Sequence, residues 1–316
     1  MVVNPAHVNP LDCDAVSESC PVQASIYGYY PSIGWNAFFA AVFGICFFVN
    51  FWLGLRFRTW TYMAAMCCAC IASTIGYAGR VTMHDNPFAK LGFQMQICAL
   101  TMSPAWNAAA LYLILKHLVL LFGRECSRIR PKYYTWGFIF VDFLALSLQA
   151  AGGGIAGSAG DNASFRDVGD RLMITGISWQ VLTLLMFAGV AADYFLRLSK
   201  SSQPLPKEAQ ACLQDRRFRI FVVSLAFIYI TIFIRCVYRI AEMAGGWRNP
   251  IMQDQALFIG VDSWMIGIAT VLQTVVHPGI FFPFLCRSSK LRKSKNHSEI
   301  ASGEAASEDS VEKSAV

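Results

Sequence analysis

An all-α fold, a polytopic membrane bundle of seven transmembrane helices with the N-terminus outside and the C-terminus inside, is predicted by three observations. These are recurring apolar stretches, a composition poor in charge, and a one-sided distribution of lysine and arginine. Hydrophobic residues make up 55% of the 316-residue chain and charged residues 15%, well under the roughly 25% of a soluble domain. A helix needs about 20 apolar residues to cross the hydrocarbon layer. Such stretches fall at 34–55, 60–80, 93–121, 136–157, 170–196, 218–243 and 255–282. They are apolar all round rather than along one stripe, which sets them apart from the surface helices of a soluble bundle. The chain divides into an extracellular N-terminal tail, 1–31, a seven-helix membrane domain, 32–285, and a disordered cytoplasmic tail, 286–316.

The tail before the first span carries no lysine or arginine; the first basic residue is Arg56. It lacks the basic start and apolar core of a cleavable signal, so the first span is expected to act as an uncleaved signal-anchor. Cys13 and Cys20 lie in this tail, where an oxidising exterior permits a disulfide; their spacing alone does not establish one. Tyr27, Tyr29, Tyr30 and Trp35 are expected to form an aromatic belt at the outer interface, with Tyr133, Tyr134 and Trp136 as its inner counterpart. Span two ends at Arg80 and holds Cys67, Cys68 and Cys70, which read as small packing residues. Span three contains Pro104, expected to kink the helix and free a carbonyl that Ser103 or Asn107 would satisfy. Lys116 and His117 near its inner end are expected to snorkel to the interface.

Span four carries Asp142, Gln149 and the run Gly152-Gly153-Gly154, which suits close approach of a neighbouring helix. Asn162-Ala163-Ser164 in the following outer loop is a glycosylation sequon. The connection at about 197–217 holds Pro204 and Pro206 and reads as a linker. Beyond Phe284 the chain turns basic and then rich in serine and glutamate, a composition that cannot bury a core.

Orientation follows from the basic residues. One set of connections holds Arg56, Arg58, Arg124, Arg128, Arg130, Lys132, Arg197, Lys200, Lys207, Arg216, Arg217 and Arg219, and the C-terminal tail adds five more between Arg287 and Lys295. The opposite set holds only Arg80, Lys90, Arg166, Arg171 and Arg248. The positive-inside rule then places the N-terminus outside. The net charge of +6 is explained by loops facing anionic lipid, with no nucleic-acid partner.

Span six contains Arg235, Tyr238, Arg239 and Glu242. At 3.6 residues per turn, Arg239 and Glu242 follow Arg235 at i+4 and i+7, on one face. Charges inside a span face a bundle interior, a partner or water. A rise of 1.5 Å per residue puts Asp262 of span seven at the depth of both arginines, with Arg80 and Gln149 in the same outer half. The predicted ligand-binding set is therefore Arg80, Gln149, Arg235, Tyr238, Arg239, Glu242 and Asp262. A set of internal salt bridges that only fixes helix register is the competing reading. Catalysis is not expected. The histidines do not converge with acids as zinc ligands, and there is no nucleophile elbow or nucleotide-binding loop.

Several motifs resemble the fungal RTA-like family, also called the lipid-translocating exporter family, across roughly residues 27–285. They are Tyr30-Pro31-Ser32, the stretch Ile75-Gly76-Tyr77-Ala78-Gly79-Arg80, and Ser103-Pro104-Ala105-Trp106-Asn107 with the residues through Tyr112. Asp142 through Gln149 to Gly154, Arg235-x-x-Tyr238-Arg239-x-x-Glu242, and Asp262 with His277-Pro278 complete the pattern. The chain departs from it by carrying Ser73 and Thr74 where an acid is expected, and by a weakened acid-aromatic pattern around Asp254 and Gln255. The resemblance implies a plasma-membrane protein that moves, binds or senses an amphipathic lipid, such as a sphingoid long-chain base, and contributes to resistance to toxic compounds. No cofactor is expected. Two alternatives accompany this reading: a receptor-like lipid sensor, and a porphyrin or haem handler with His277 as candidate ligand.

Overall fold

The computed structural model describes residues 13, 15–122, 131–158, 162–200, 215–246 and 249–281. The charged connection around Arg124–Arg130, Lys207, Arg248 and the C-terminal tail therefore lie outside the described residues. Seven helices are long and apolar enough to cross a membrane. In chain order they are α1 (Ile33–Phe57), α2 (Trp60–Asp85), α3 (Lys90–Phe122), α4 (Pro131–Ser158), α5 (Ala163–Lys200) and α6 (Arg216–Ala244), with α7 (Gln255–Phe281). The protein is a multi-pass membrane protein.

Sequential helices pack as neighbours, and α7 returns to α1, closing a ring. The third helix is the axle: it touches α2, α4, α5, α6 and α7, and 72% of its apolar window is buried against 28% for α5. That burial explains its continuous apolar character, since no face of it meets lipid over most of its length. A large apolar core formed by α2 through α7, including Tyr62, Tyr112, Phe187 and Phe221, fills one end of the bundle. Two smaller clusters occupy the other: Met83, Ile97, Met173 and Met243 with Tyr27, and Phe39, Phe43, Tyr77 and Leu100 with Phe258.

Close backbone approach sets two of the helix pairs. A side chain on Gly79 would meet the Gly92 carbonyl at 2.8 Å, and one on Gly92 would meet the Gly79 carbonyl at 2.9 Å, so α2 and α3 touch backbone to backbone there. Gly152 and Gly169 do the same for α4 and α5, at 2.6 and 2.7 Å. Small residues permit such contact between helices in lipid, where dispersion replaces the hydrophobic drive.

Three departures from sequence expectation have local causes. Helix α5 begins seven residues before the expected start at 170, because Asn162 ends the turn before it: the Phe165 amide donates to Asn162 Oδ1 at 3.3 Å, as at an N-cap. Helix α3 runs through Pro104 without interruption. The N-terminal segment is not a free tail over its described part: Ala24, Ser25 and Tyr27 are buried against the bundle. A disulfide joins Cys13 to Cys20, with Cα atoms 6.0 Å apart. The Gly28 amide donates to Ser25 Oγ at 3.1 Å, and Gly28 sits at φ +70°, a turn that glycine adopts at little cost. The segment thus forms a strap seated against the bundle.

The seventh helix is irregular where it matters. Phe258–Ser263 forms a π-helical turn, with the Trp264 amide donating to the Ile259 carbonyl, and it buries Phe258, Asp262 and Ser263. Such turns are commonly found at functional sites.

Candidate functional site

Between the two smaller clusters lies a dry group of charges. Arg80, Arg235, Arg239, Glu242 and Asp262 are each at most 4% exposed. Arg239 is held at both ends of its guanidinium. Its Nε donates to Asp262 Oδ1 at 2.8 Å and its Nη2 to Oδ2 at 3.2 Å, while Nη1 donates to Glu242 Oε2 at 2.7 Å. The fork geometry of arginine on a carboxylate is what makes such a pair strong. Arg235 approaches from one turn below. Its Nε lies 3.2 Å from Asp262 Oδ1 without the alignment of a hydrogen bond, so that contact is Coulombic.

The second commitment of Arg235 reaches α3. Its Nη2 donates to the Leu100 carbonyl at 2.6 Å. Leu100 stands four residues before Pro104, and the missing proline N–H is the one that would have satisfied that carbonyl. The proline therefore creates an acceptor inside the bundle, and the arginine of α6 fills it. Ser103 and Asn107, expected to play this part, are engaged elsewhere: Ser103 Oγ lies 2.6 Å from Ser73 Oγ, and Asn107 Nδ2 donates to the Ser103 carbonyl at 3.0 Å.

Arg80, expected in the same outer-half cluster, is held by the N-terminal segment and by aromatic rings. Its Nη2 donates to Tyr29 Oη at 2.8 Å, and its guanidinium carbon lies 3.8 Å from the Phe258 ring centre and 5.0 Å from that of Tyr27. Its Nε and Nη1 have no hydrogen-bond partner among the described residues. Burial pushes the Tyr27 phenol well above its ordinary value, so that ring is neutral at physiological pH. Tyr27 and Tyr29 thus belong to this site rather than to an interfacial belt, whereas Tyr30 and Trp35, at 46% and 44% exposure, face outward as a belt requires. The sequence offered little warning: the tyrosines are 51 and more positions from Arg80, and only an arginine with no acid on its own turn hinted at another partner.

Tyr238 is half-buried on the same face of α6, its hydroxyl without a partner among the described residues. Gln149 stands apart. Its Nε2 donates to Gln180 Oε1 at 3.2 Å between α4 and α5, and its Oε1 has no hydrogen-bond partner among the described residues, so it does not bond to the arginines. Asn249 shapes the turn beside Glu242. Its Nδ2 donates to the Glu242 carbonyl at 2.5 Å, and its Oδ1 accepts from the Met252 amide at 2.7 Å. Asn162 is exposed beside α5.

Toward the opposite end, a column of buried polar groups follows α7. Thr270 Oγ1 donates to Asn107 Oδ1 at 3.2 Å and Asn50 Nδ2 to Thr274 Oγ1 at 2.7 Å. Tyr62 Oη donates to the Gln273 carbonyl at 2.8 Å. At its foot, the fully buried His277 accepts the Gly279 amide at Nδ1, 3.0 Å, and stands edge-on to the Tyr62 ring. Asp142 is separate from the charged group and accepts the Tyr112 hydroxyl at 2.9 Å. Among the described residues no three His, Cys, Asp or Glu side chains converge to hold a metal ion.

Comparison with known proteins places these residues in context. A family model described as "RTA1 like protein" matches residues 66–284, which include every charged residue of the group. The chain is 28% identical over 308 residues to the sphingoid long-chain base transporter RSB1 of Saccharomyces cerevisiae (strain Lalvin EC1118), covering 89% of this chain and 80% of that protein. It is 24% identical over 299 residues to the lipid-translocating exporter-like protein RTA1 of Leptosphaeria maculans, covering 87% of this chain and 55% of that one. Protoporphyrin uptake protein 1 of Saccharomyces cerevisiae is 28% identical over 191 residues, 59% of this chain and 58% of its own. No solved structure matches.

Proposed function

Because this chain belongs to the RTA1-like family, we propose that it is a plasma-membrane translocase for an amphipathic lipid, a sphingoid long-chain base or a close relative, and not an enzyme. In this reading the N-terminus is outside, the C-terminus inside, and the arginine–carboxylate group lies in the outer half of the membrane. The lipid head enters that group while the hydrocarbon tail lies along apolar helix faces, and export of toxic amphipaths confers resistance. The observation that carries the proposal is the burial of Arg235, Arg239, Glu242 and Asp262 in mutual contact. Such charges are costly at membrane depth, and substrate pathways are a main use for them. The names of the transporter relatives support the substrate class.

The group suits partner exchange. Asp262 serves two arginines at once, so an incoming head that takes one partner leaves the other in place, and no charge is stranded in the apolar interior.

The test is flux of tail-labelled long-chain bases, with and without a head phosphate, across liposomes containing the purified full chain. Faster movement than in empty liposomes, removed by Arg239→Ala, is the expected result. Movement no faster than the empty-liposome rate, with the protein folded, sinks the translocase reading and favours a lipid sensor signalling through the 197–217 connection. The porphyrin alternative draws on His277, whose Nε2 is buried without a partner among the described residues. A Soret band on the purified protein after porphyrin addition, lost in His277→Ala, would favour it.

A further inference from the structure

The charges at the site do not balance. Three guanidinium groups, Arg80, Arg235 and Arg239, face two carboxylates, Glu242 and Asp262, and all five are buried. Both carboxylates are engaged by Arg239, and Asp262 also by Arg235. The excess positive charge is therefore Arg80. Its direct contacts are the Tyr29 hydroxyl at 2.8 Å and the faces of Phe258, Tyr27 and Tyr29, while Glu242, within electrostatic reach, accepts its hydrogen bond from Arg239. Tyr27 supplies no compensating charge, since burial holds its phenol protonated. A desolvated ring face stabilises a cation by about 2 kcal/mol or more, against an effective penalty of several kcal/mol for an ion leaving water, and it supplies no counter-charge. Two of its donors, Nε and Nη1, are buried with no partner among the described residues. Nε and Nη1 lie on the two different edges of the planar guanidinium, and each shares its edge with Nη2, which has two N–H bonds and gives one to Tyr29, so either edge is a fork that can take two oxygens of one acidic group.

Resting on the translocase reading, we propose that the substrate head carries an acidic group, of which phosphate is the class that fits best, and that Arg80 is its specificity-determining contact. The phosphate oxygens take one of these edges, Nε or Nη1 together with the second N–H of Nη2, and bring the buried charge to balance. Because Arg80 is 1% exposed and Tyr29 of the strap holds its Nη2, the head reaches it when the strap lifts. An amine on the same head would then lie toward Glu242, so a phosphorylated long-chain base satisfies both signs where the free base satisfies one.

The experiment is equilibrium binding to the full chain in detergent micelles, using three tail-labelled probes of equal chain length: a long-chain base, the same base bearing a head phosphate, and a fatty acid. The wild type is expected to bind the phosphate probe at least about tenfold more tightly than the free base. Arg80→Gln is expected to bring that ratio close to one, and Arg80→Lys to keep part of it. A fatty acid bound as tightly as the phosphate would assign acidic heads in general, and a weaker one would assign phosphate. Equal or tighter binding of the free base by the wild type overturns the proposal, and that comparison needs no variant to fold. Survival of the preference in a folded Arg80→Gln overturns it as well. Liposome flux separates this from the reading beneath it. Flux without head preference sinks the acidic head alone, and head preference without flux sinks translocation alone.

Discussion

Asp262 is the residue on which the charged group turns, because among the described residues it is the acid shared by two buried arginines. Asp262→Asn removes the charge, which leaves Arg239 with Glu242 as its acid and Arg235 with none among the described residues. Breaking a buried pair from one side costs about 3–5 kcal/mol, so a large fall in the thermal midpoint in detergent is expected. The comparison is Asp142→Asn, which keeps an acceptor for the Tyr112 hydroxyl and is expected to cost about 1 kcal/mol or less. Equal effects of the two would deny Asp262 its special position. The contact of α6 with α7 was legible in the chain, since spacing fixed the face of Arg235, Arg239 and Glu242, and rise per residue fixed the depth of Asp262. The acceptor at Leu100 was half legible: Pro104 announces a freed carbonyl, but which side chain reaches it depends on the packing of α3 against α6. The surroundings of Arg80 were not legible, because they come from a strap far away in sequence and from a ring on α7.

Helices α4 and α5 are joined through glycine, and this can be tested at neighbouring positions of one run. A side chain at Gly152 would meet the Gly169 carbonyl at 2.6 Å and Met173 at 2.8 Å, whereas one at Gly154 meets nothing within 4 Å. Gly152→Leu must push the two helices apart, at a cost of about 1–3 kcal/mol or more, and Gly154→Leu is expected to stay within about 0.5 kcal/mol of the wild type. Thermal unfolding of the purified variants reads both, and a Gly152→Leu protein as stable as Gly154→Leu would mean that the helices do not touch there. The triplet alone could not say which glycine carries the contact, because the rotational setting of α4 belongs to tertiary packing. Hydropathy located all seven helices. It could not locate the π-helical turn at Phe258–Ser263, since one extra residue in a turn leaves the apolar average unchanged. That turn nevertheless carries both Phe258, which packs against Arg80, and Asp262, which pairs with Arg239.

For the whole molecule, the charged group matters only if it opens to the side where the lipid is received or released, and that depends on orientation. The proposed orientation, drawn from the lysine and arginine asymmetry, has Arg56, Arg58, Arg197 and Lys200 on the cytoplasmic side and the strap outside. The strap supports the same sense chemically, since a disulfide between Cys13 and Cys20 persists in an oxidising exterior and is rare in the reducing cytosol. An epitope fused to the N-terminus is expected to bind antibody on intact cells, and one at the C-terminus only after permeabilisation. The reverse pattern would place the strap and Arg80 on the cytoplasmic side and turn the proposed outer site into an inner one. Orientation also predicts a consequence for the strap itself. Cys20→Ser frees its distal part while Ser25, Tyr27 and Tyr29 remain seated, so hydrogen exchange of residues 15–24 is expected to rise, with smaller change at 27–31. If exchange rises equally over both segments, the disulfide holds the whole strap down, and access to Arg80 is set by the redox state of two cysteines outside the membrane helices.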